Sequence, residues 1–304
     1  MTAPRSTPFG RVLTAMVTPF TAAGELDLDT AAALAHRLVD QGNDGLVVSG
    51  TTGEAPTTTR AEKAALLRAV VDAVGGRAQV LAGVGTYDTA ESVELARDAA
   101  KAGATGLLSV TPYYSRPPQA GIVAHTLAVA ESTDLPLMLY DIPARSGVAL
   151  SHQTLLELGR HPQVVAVKDA KDDLVATSRL LAEADLAVYA GTEAYTLPLL
   201  AIGGVGVVSV ISHVVTPEVV ALVQAFVAGD VARARDLHLG LEPVWTAMFR
   251  TQGVILAKAA LGLLGLPVGP VRLPLVDATE EQVSVLRQDL ARAVPRLDLT
   301  GGPA

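Results

Sequence analysis

A lysine closes the apolar run Val164-Val165-Ala166-Val167 in the stretch VVAVKDAK, and it is one of only five lysines in the chain (Lys63, Lys101, Lys168, Lys171 and Lys258). A β-branched run of this kind reads as a buried strand. Burial penalises the ammonium and favours the neutral amine, the form that attacks a carbonyl carbon. The same side chain can also run out of a strand end to solvent or to a carboxylate, so its surroundings decide between the two. A reactive amine of this kind would form a carbinolamine, then an imine with a keto acid, then an enamine, and it would need three sorts of partner. Gly50-Thr51-Thr52-Gly53 offers closely spaced backbone N–H groups and two hydroxyls, suited to a carboxylate; the same residues also make an ordinary capped turn. Tyr140 ends an apolar run and has a hydroxyl able to carry a proton, or it is a plain core aromatic. Arg145, five residues on, can grip a second carboxylate in two-pronged fashion, or it is a surface arginine.

These residues recur at one place in a repeated pattern. Short apolar runs at 12–17, 45–49, 79–83, 106–110, 137–140, 164–168, 187–190 and 206–209 alternate with helical patterns at 30–41, 60–74, 89–102, 119–131, 151–160, 174–184, 194–202 and 217–228. The runs are continuously apolar and do not alternate, which marks a parallel sheet covered on both faces. Eight strand–helix units predict an α/β fold of the closed (β/α)8 TIM-barrel type. No Gly-x-Gly-x-x-Gly opens the first helix, which counts against a dinucleotide-binding sheet. Thr57, Thr58 and Thr59 are N-cap candidates for the second helix, and Thr279 for the last. Further helices are expected at 231–248, 253–264 and 280–293, so the chain divides into a barrel over 1–228 and a C-terminal helical region, 229–304, packed on it. Residues 300–304 are expected to fray.

In such a barrel the site lies at the C-terminal ends of the strands. Gly50–Glu54, Gly83–Thr86, Thr111–Tyr114, Tyr140–Pro143, Lys168, Gly191 and Ser209 all fall at those ends. Small, polar and reactive side chains therefore converge on one rim, which favours the reactive reading of Lys168. Asp169 should point away from the pocket by strand alternation, and Lys171 lies in the loop beyond.

Composition narrows the partners. Net charge is −8, against nucleic acid or an anionic membrane as main partner. There is no cysteine, which removes disulfides and thiolate chemistry and fits a reducing cytoplasm. Neither a secretory signal nor an apolar run long enough to span a membrane is visible. The six histidines (His36, His125, His152, His161, His213 and His238) are scattered, most read as surface or helix-cap residues, and call for no metal. No cofactor is expected.

GTTGE (50–54), TPYY (111–114), YDIPARSG (140–147) and VKDA (167–170), in this order and with 28 positions from Tyr140 to Lys168, resemble the dihydrodipicolinate synthase / N-acetylneuraminate lyase family; the likeness runs from about residue 10 to about residue 290. The resemblance, closest to actinobacterial members, implies that Lys168 forms a Schiff base with pyruvate and that Tyr140 relays protons. It implies that Thr51 links Tyr140 to Tyr114, lent by a neighbouring subunit, and that Thr51 and Thr52 bind the pyruvate carboxylate. It places Arg145 on the carboxylate of L-aspartate 4-semialdehyde, and Gly191 and Val208 at the pocket. The implied product is 4-hydroxy-tetrahydrodipicolinate, the entry to lysine and diaminopimelate biosynthesis, made by a homotetramer of tight dimers. Thr51, Thr52 and Arg145 favour the synthases over the neuraminate lyases. Two departures stand out. Thr192-Glu193 replaces two acidic residues, so Thr192 cannot supply the same rim charge. Tyr87 replaces the asparagine of lysine-inhibited relatives, although Glu91 matches a second position, so weak or absent lysine inhibition is expected. Two alternatives remain: an aldolase for another 2-keto acid, of the 2-keto-3-deoxy sugar acid or neuraminate type, and a catalytically silent barrel.

Overall fold

A computed structural model of the chain describes residues 5–301. Eight parallel strands close into a barrel in sequence order: β1 (Val12–Ala15), β2 (Gly45–Val48), β3 (Gln79–Gly83), β4 (Gly106–Val110), β5 (Leu137–Asp141), β6 (Val164–Asp169), β7 (Ala187–Ala190) and β8 (Gly206–Ser209), with β8 pairing back onto β1. Nearly every strand residue is buried, because helices cover the outside and side chains fill the inside. The TIM-barrel expectation holds.

Local chemistry explains the helices. α1 (Leu28–Asp40) starts two residues earlier than the apolar pattern predicts, because the Asp27 carboxylate accepts from the Thr30 N–H at 2.9 Å and caps it. α2 (Arg60–Val74) opens on a capping box in which Thr59 and Glu62 satisfy each other's backbone N–H groups. α3 (Thr89–Lys101) and α4 (Gln119–Ala130) follow their expected spans closely. A turn not expected from the sequence, α5 (Pro143–Ser146), follows β5; Pro143 pre-sets its first dihedral and Gly147, at φ +75°, ends it. α6 (His152–Leu158) and α7 (Leu174–Glu183) complete the fifth and sixth units. The single helix expected at 194–202 is instead a 3-10 turn (Glu193–Tyr195) running into α8 (Thr196–Ala201). α9 (Ser212–Val227) contains a kink at Val215, just before Pro217, so the expected helix from Pro217 is its second segment and one extra turn precedes it. α10 (Val231–Met248), α11 (Gly253–Leu263) and α12 (Glu280–Ala293) follow, with α10 and α11 each packed on α9 and α12. Thr279 caps α12 in a capping box, as expected.

The segment before β1 plugs the lower end of the barrel. Phe9 is fully buried, and the Tyr189 hydroxyl donates to the Gly10 carbonyl at 2.8 Å. Position 106 has to be glycine, since a Cβ there would stand 2.5 Å from the Phe9 ring. Fraying of 300–304 does not extend to Gly301, whose N–H donates to Leu263 and whose carbonyl accepts from Arg287; residues 302–304 lie outside the described residues. Among the described residues no helix is long and apolar enough to cross a membrane.

Candidate active site

β5 and β6 pair one residue further than their apolar runs predict, with Tyr140 level with Lys168 and Asp141 level with Asp169. Level residues on paired strands face the same side. Lys168 and Tyr140 therefore share one face, and the ammonium nitrogen lies 4.3 Å from the centre of the Tyr140 ring. The next position along faces outward. The Asp169 carboxylate accepts from the Lys171 N–H at 2.9 Å and from the Thr177 hydroxyl on α7, so it serves the outer layer as alternation predicts. Lys171 stands 3.0 Å from the Asp141 carboxylate, which also accepts from the Leu150 N–H; it is committed to a structural ion pair.

Lys168 is 5% exposed. Burial lowers its pKa to about 8, against an upward pull from Glu193, while the Arg145 charge pushes it further down. Burial raises Tyr140 to about 12; Arg145 and the Thr51 hydroxyl oppose that rise. The lysine is thus poised to release its proton near neutral pH, whereas the tyrosine stays protonated and can hand a proton over.

A cavity of about 260 Å³ opens at this rim, lined among others by Ser49, Gly50, Thr51, Tyr140, Arg145 and Gln252. Its walls are the β2 loop on one side and the β5 loop on the other. Lys168 does not line it directly and meets it through Tyr140. The Arg145 guanidinium donates to the Gln252 side-chain oxygen at 2.8 Å and keeps its remaining N–H groups for other partners.

The other expected site residues fall in different places. Thr52 and Val208 are buried but off the cavity lining, and half-buried Gly191 is off it too. Gly191 sits where β7 closes on β6: a Cβ there would come within 2.8 Å of both the Ala170 side chain and the Asp169 carbonyl. Val208 is 1% exposed and level with Leu13 of β1. Tyr114, at φ +66°, is 91% exposed, and the single chain does not bring it to the cavity. Its neighbour Tyr113 does line the cavity and meets the exposed Tyr87 edge-on at 5.3 Å.

Several contributors were not expected. Ser49 has a left-handed backbone, at φ +56°, and a buried hydroxyl with no hydrogen-bond partner in the protein, beside the cavity. Its only signal in the sequence is its position before the glycine loop. Gln252 lies 107 residues from Arg145 and carried no signal at all. Thr192 is neutral, and its hydroxyl donates to the charged Asp172 carboxylate at 2.7 Å. Glu193 is buried; one of its oxygens accepts from the Ser209 hydroxyl and from the Val210 and Ile211 N–H groups at 3.1, 2.6 and 3.1 Å. Two of the six histidines lie outside the surface reading given for most of them. His125 is buried against Thr89. His213 is fully buried, donates to the Val210 carbonyl and accepts from the Val17 N–H, and burial lowers it to about 4, which keeps it neutral.

Known proteins share this architecture and sequence. The model of the dihydrodipicolinate synthetase family matches residues 8–293. A 4-hydroxy-tetrahydrodipicolinate synthase from Acidothermus cellulolyticus is 64% identical over 289 residues, covering 95% of this chain and 94% of the relative. One from Streptomyces coelicolor is 60% identical over 94% of this chain and 95% of the relative. Among solved structures, a synthase of the same family from Cyanidioschyzon merolae with lysine bound is 44% identical, with a TM-score of 0.92 over 95% of this chain and 99% of the other. The match therefore runs through all eight strand ends and on into the C-terminal helices, and the chain belongs to the dihydrodipicolinate synthetase family.

Proposed function

We propose that the chain condenses pyruvate with L-aspartate 4-semialdehyde to give 4-hydroxy-tetrahydrodipicolinate through a Schiff base on Lys168, the entry step of lysine and diaminopimelate biosynthesis. The observation that carries this reading is a buried strand-end lysine, lowered to about 8, level with a tyrosine whose own proton is held to about 12. The neutral amine attacks C2 of pyruvate, and loss of water gives the imine. Loss of a C3 proton gives the enamine, whose carbon attacks the aldehyde. The amino group of the second substrate then closes on the imine carbon and expels the lysine, so every proton shed in one step is returned in another. Tyr140 carries those protons, with Thr51 as its relay partner and Tyr114 of a neighbouring subunit completing the relay. Thr51 and Thr52 hold the pyruvate carboxylate, Arg145 holds that of the semialdehyde, and Gly191 and Val208 bound the pocket, the glycine through its carbonyl.

The exposure of Tyr114 in the isolated chain supports assembly: a proton relay through it needs a second copy. The working enzyme is then a cytoplasmic homotetramer, a dimer of dimers, in which the barrel over residues 1–228 and the helical region over 229–304 act together. Incubation with pyruvate and borohydride tests the chemistry. The expected result is a covalent adduct on the peptide containing Lys168, absent from Lys168→Ala. No adduct on the wild-type chain overturns the reading in favour of a silent barrel. Comparing aspartate semialdehyde with sugar aldehydes in the condensation assay separates the synthase from the other aldolases.

A further inference from the structure

The wall of the cavity formed by Gly50, Thr51, Ala55 and Pro56 is held from outside the barrel. Glu54, at the centre of that wall, has a left-handed backbone (φ 55°, ψ 39°), which L side chains adopt only when their surroundings hold them there. It is 2% exposed. One carboxylate oxygen stands 2.7 Å from the Lys258 ammonium, and the other accepts from the Arg272 N–H at 2.8 Å. Lys258, itself 4% exposed, also donates to the Pro270 carbonyl at 2.7 Å and lies 4.3 Å from the centre of the Phe20 ring. The Arg272 guanidinium donates to the carbonyls of Gly24 and Thr57 and pairs with Glu62, the capping residue of α2. Thr18 adds a bond to the Gly53 carbonyl at 2.6 Å. Both partners of the Glu54 carboxylate, the Lys258 ammonium and the Arg272 backbone N–H, thus come from the helical region. The same helix α11 that carries Lys258 is capped by Gln252, whose oxygen takes the Arg145 guanidinium.

The geometry points to α11 as a strut that positions both carboxylate-binding loops: Lys258 sets the Thr51–Thr52 loop through Glu54, and Gln252 sets Arg145. Lys258 and Glu54 are positioning residues; neither lines the cavity. The assignment rests on the Schiff-base reading above, because it takes the β2 loop to be the pyruvate site. A buried ion pair is a costly way to hold a loop for stability alone, since a well-packed apolar pair commonly serves as well. It does fix one backbone geometry, and small displacements of positioning groups lower rates by up to about a hundredfold.

The test uses Glu54→Gln, Lys258→Met and the double variant, measured for thermal stability, pyruvate KM, kcat and the rate of borohydride-trapped adduct at subsaturating pyruvate. Each single variant strands a buried charge and is expected to lose stability. The double variant buries no net charge and should recover it. The expected result is a pyruvate KM raised about tenfold or more in the double variant despite recovered stability, with a slowed adduct and a kcat changed less than KM. Gln252→Ala should raise KM for the semialdehyde more than that for pyruvate. A stable double variant with wild-type pyruvate KM and adduct rate overturns the strut while leaving the Schiff base standing. A wild-type chain that forms no adduct overturns both.

Discussion

Replacing Lys168 by methionine should make the protein more stable while ending its chemistry. The wild-type lysine is buried with a pKa of about 8, against 10.5 for the free side chain. Below pH 8 the folded chain therefore carries a proton that the unfolded chain binds more tightly. At about 1.4 kcal/mol for each pH unit between the two values, the penalty near pH 7 is roughly 3 kcal/mol. The sign follows from proton counting. Between about pH 8 and 10.5 the folded lysine is neutral and the unfolded one is charged, so the unfolded state binds more protons and stability rises with pH across that window. Above it both states are neutral and the penalty has gone. Methionine fills a similar volume with a flexible apolar chain. At pH 7 Lys168→Met should gain roughly 3 kcal/mol, which for a chain of this length is about 5 °C in Tm. Comparison of the two proteins by urea and thermal unfolding, at one protein concentration, should show the gap closing to within about 0.5 kcal/mol by pH 10.5. A methionine variant no more stable than wild type at pH 7, or a gain undiminished at pH 10.5, would refute the assignment of the lowered pKa to burial of this amine.

Other outcomes follow from the same geometry. Glu193→Gln removes the charge that raises Lys168, so the pH midpoint for cyanoborohydride-trapped adduct should fall, while Arg145→Gln should raise it; shifts of the same sign would contradict the electrostatics. Arg145→Gln should also raise KM for the semialdehyde by about one to two orders of magnitude, since it removes a charged two-pronged contact. Tyr140→Phe keeps the ring beside the lysine but loses the transferable proton, so condensation should fall by about 10² to 10⁴ while an adduct still forms. Lysine titrated to millimolar levels in the coupled assay should inhibit weakly or not at all, because Tyr87 presents an aromatic ring, packed on Tyr113, where an amide is expected in inhibited relatives; strong inhibition would contradict this.

The barrel was legible because its strands are short β-branched runs at regular intervals: β3, β4, β7 and β8 match the apolar runs end to end, and β5 and β6 each run one residue further. Strand ends were less so, since backbone pairing, as between Asp141 and Asp169, continues past the last apolar residue. The neighbouring placement of Tyr140 and Lys168 was readable from the order of the units, as strands consecutive in sequence are adjacent in the barrel. What escaped were contacts made across the chain without a local pattern. Gln252 meets Arg145 across 107 residues and Arg272 meets Glu54 across 218. His213 looked like a surface histidine because nothing nearby in the sequence shows that the Val210 carbonyl and the Val17 N–H will satisfy both ring nitrogens. Tyr114 was read as a residue lent to a neighbouring subunit only through resemblance, and its exposure accords with that without supplying the partner.

The acidity of Lys168 is itself a compromise that the strand pattern does not reveal. An amine that must act as nucleophile and later leave as an amine works best with a pKa near the ambient pH. Burial alone would push it further down, and Arg145, proposed above to hold the second carboxylate, pushes the same way. Glu193 opposes both, and it can do so only as a fixed charge. Its carboxylate is fixed by three donors from the β8–α9 turn, Ser209, Val210 and Ile211, all bonded to one oxygen. The second acidic position after Gly191 is thus preserved as a charge acting on the lysine. At the first, the Thr192 hydroxyl donates to the Asp172 carboxylate. Thr192 is not among the groups that shift Lys168, which are Glu193 and Arg145 beside burial, so the poise of the lysine rests on the second of the two positions.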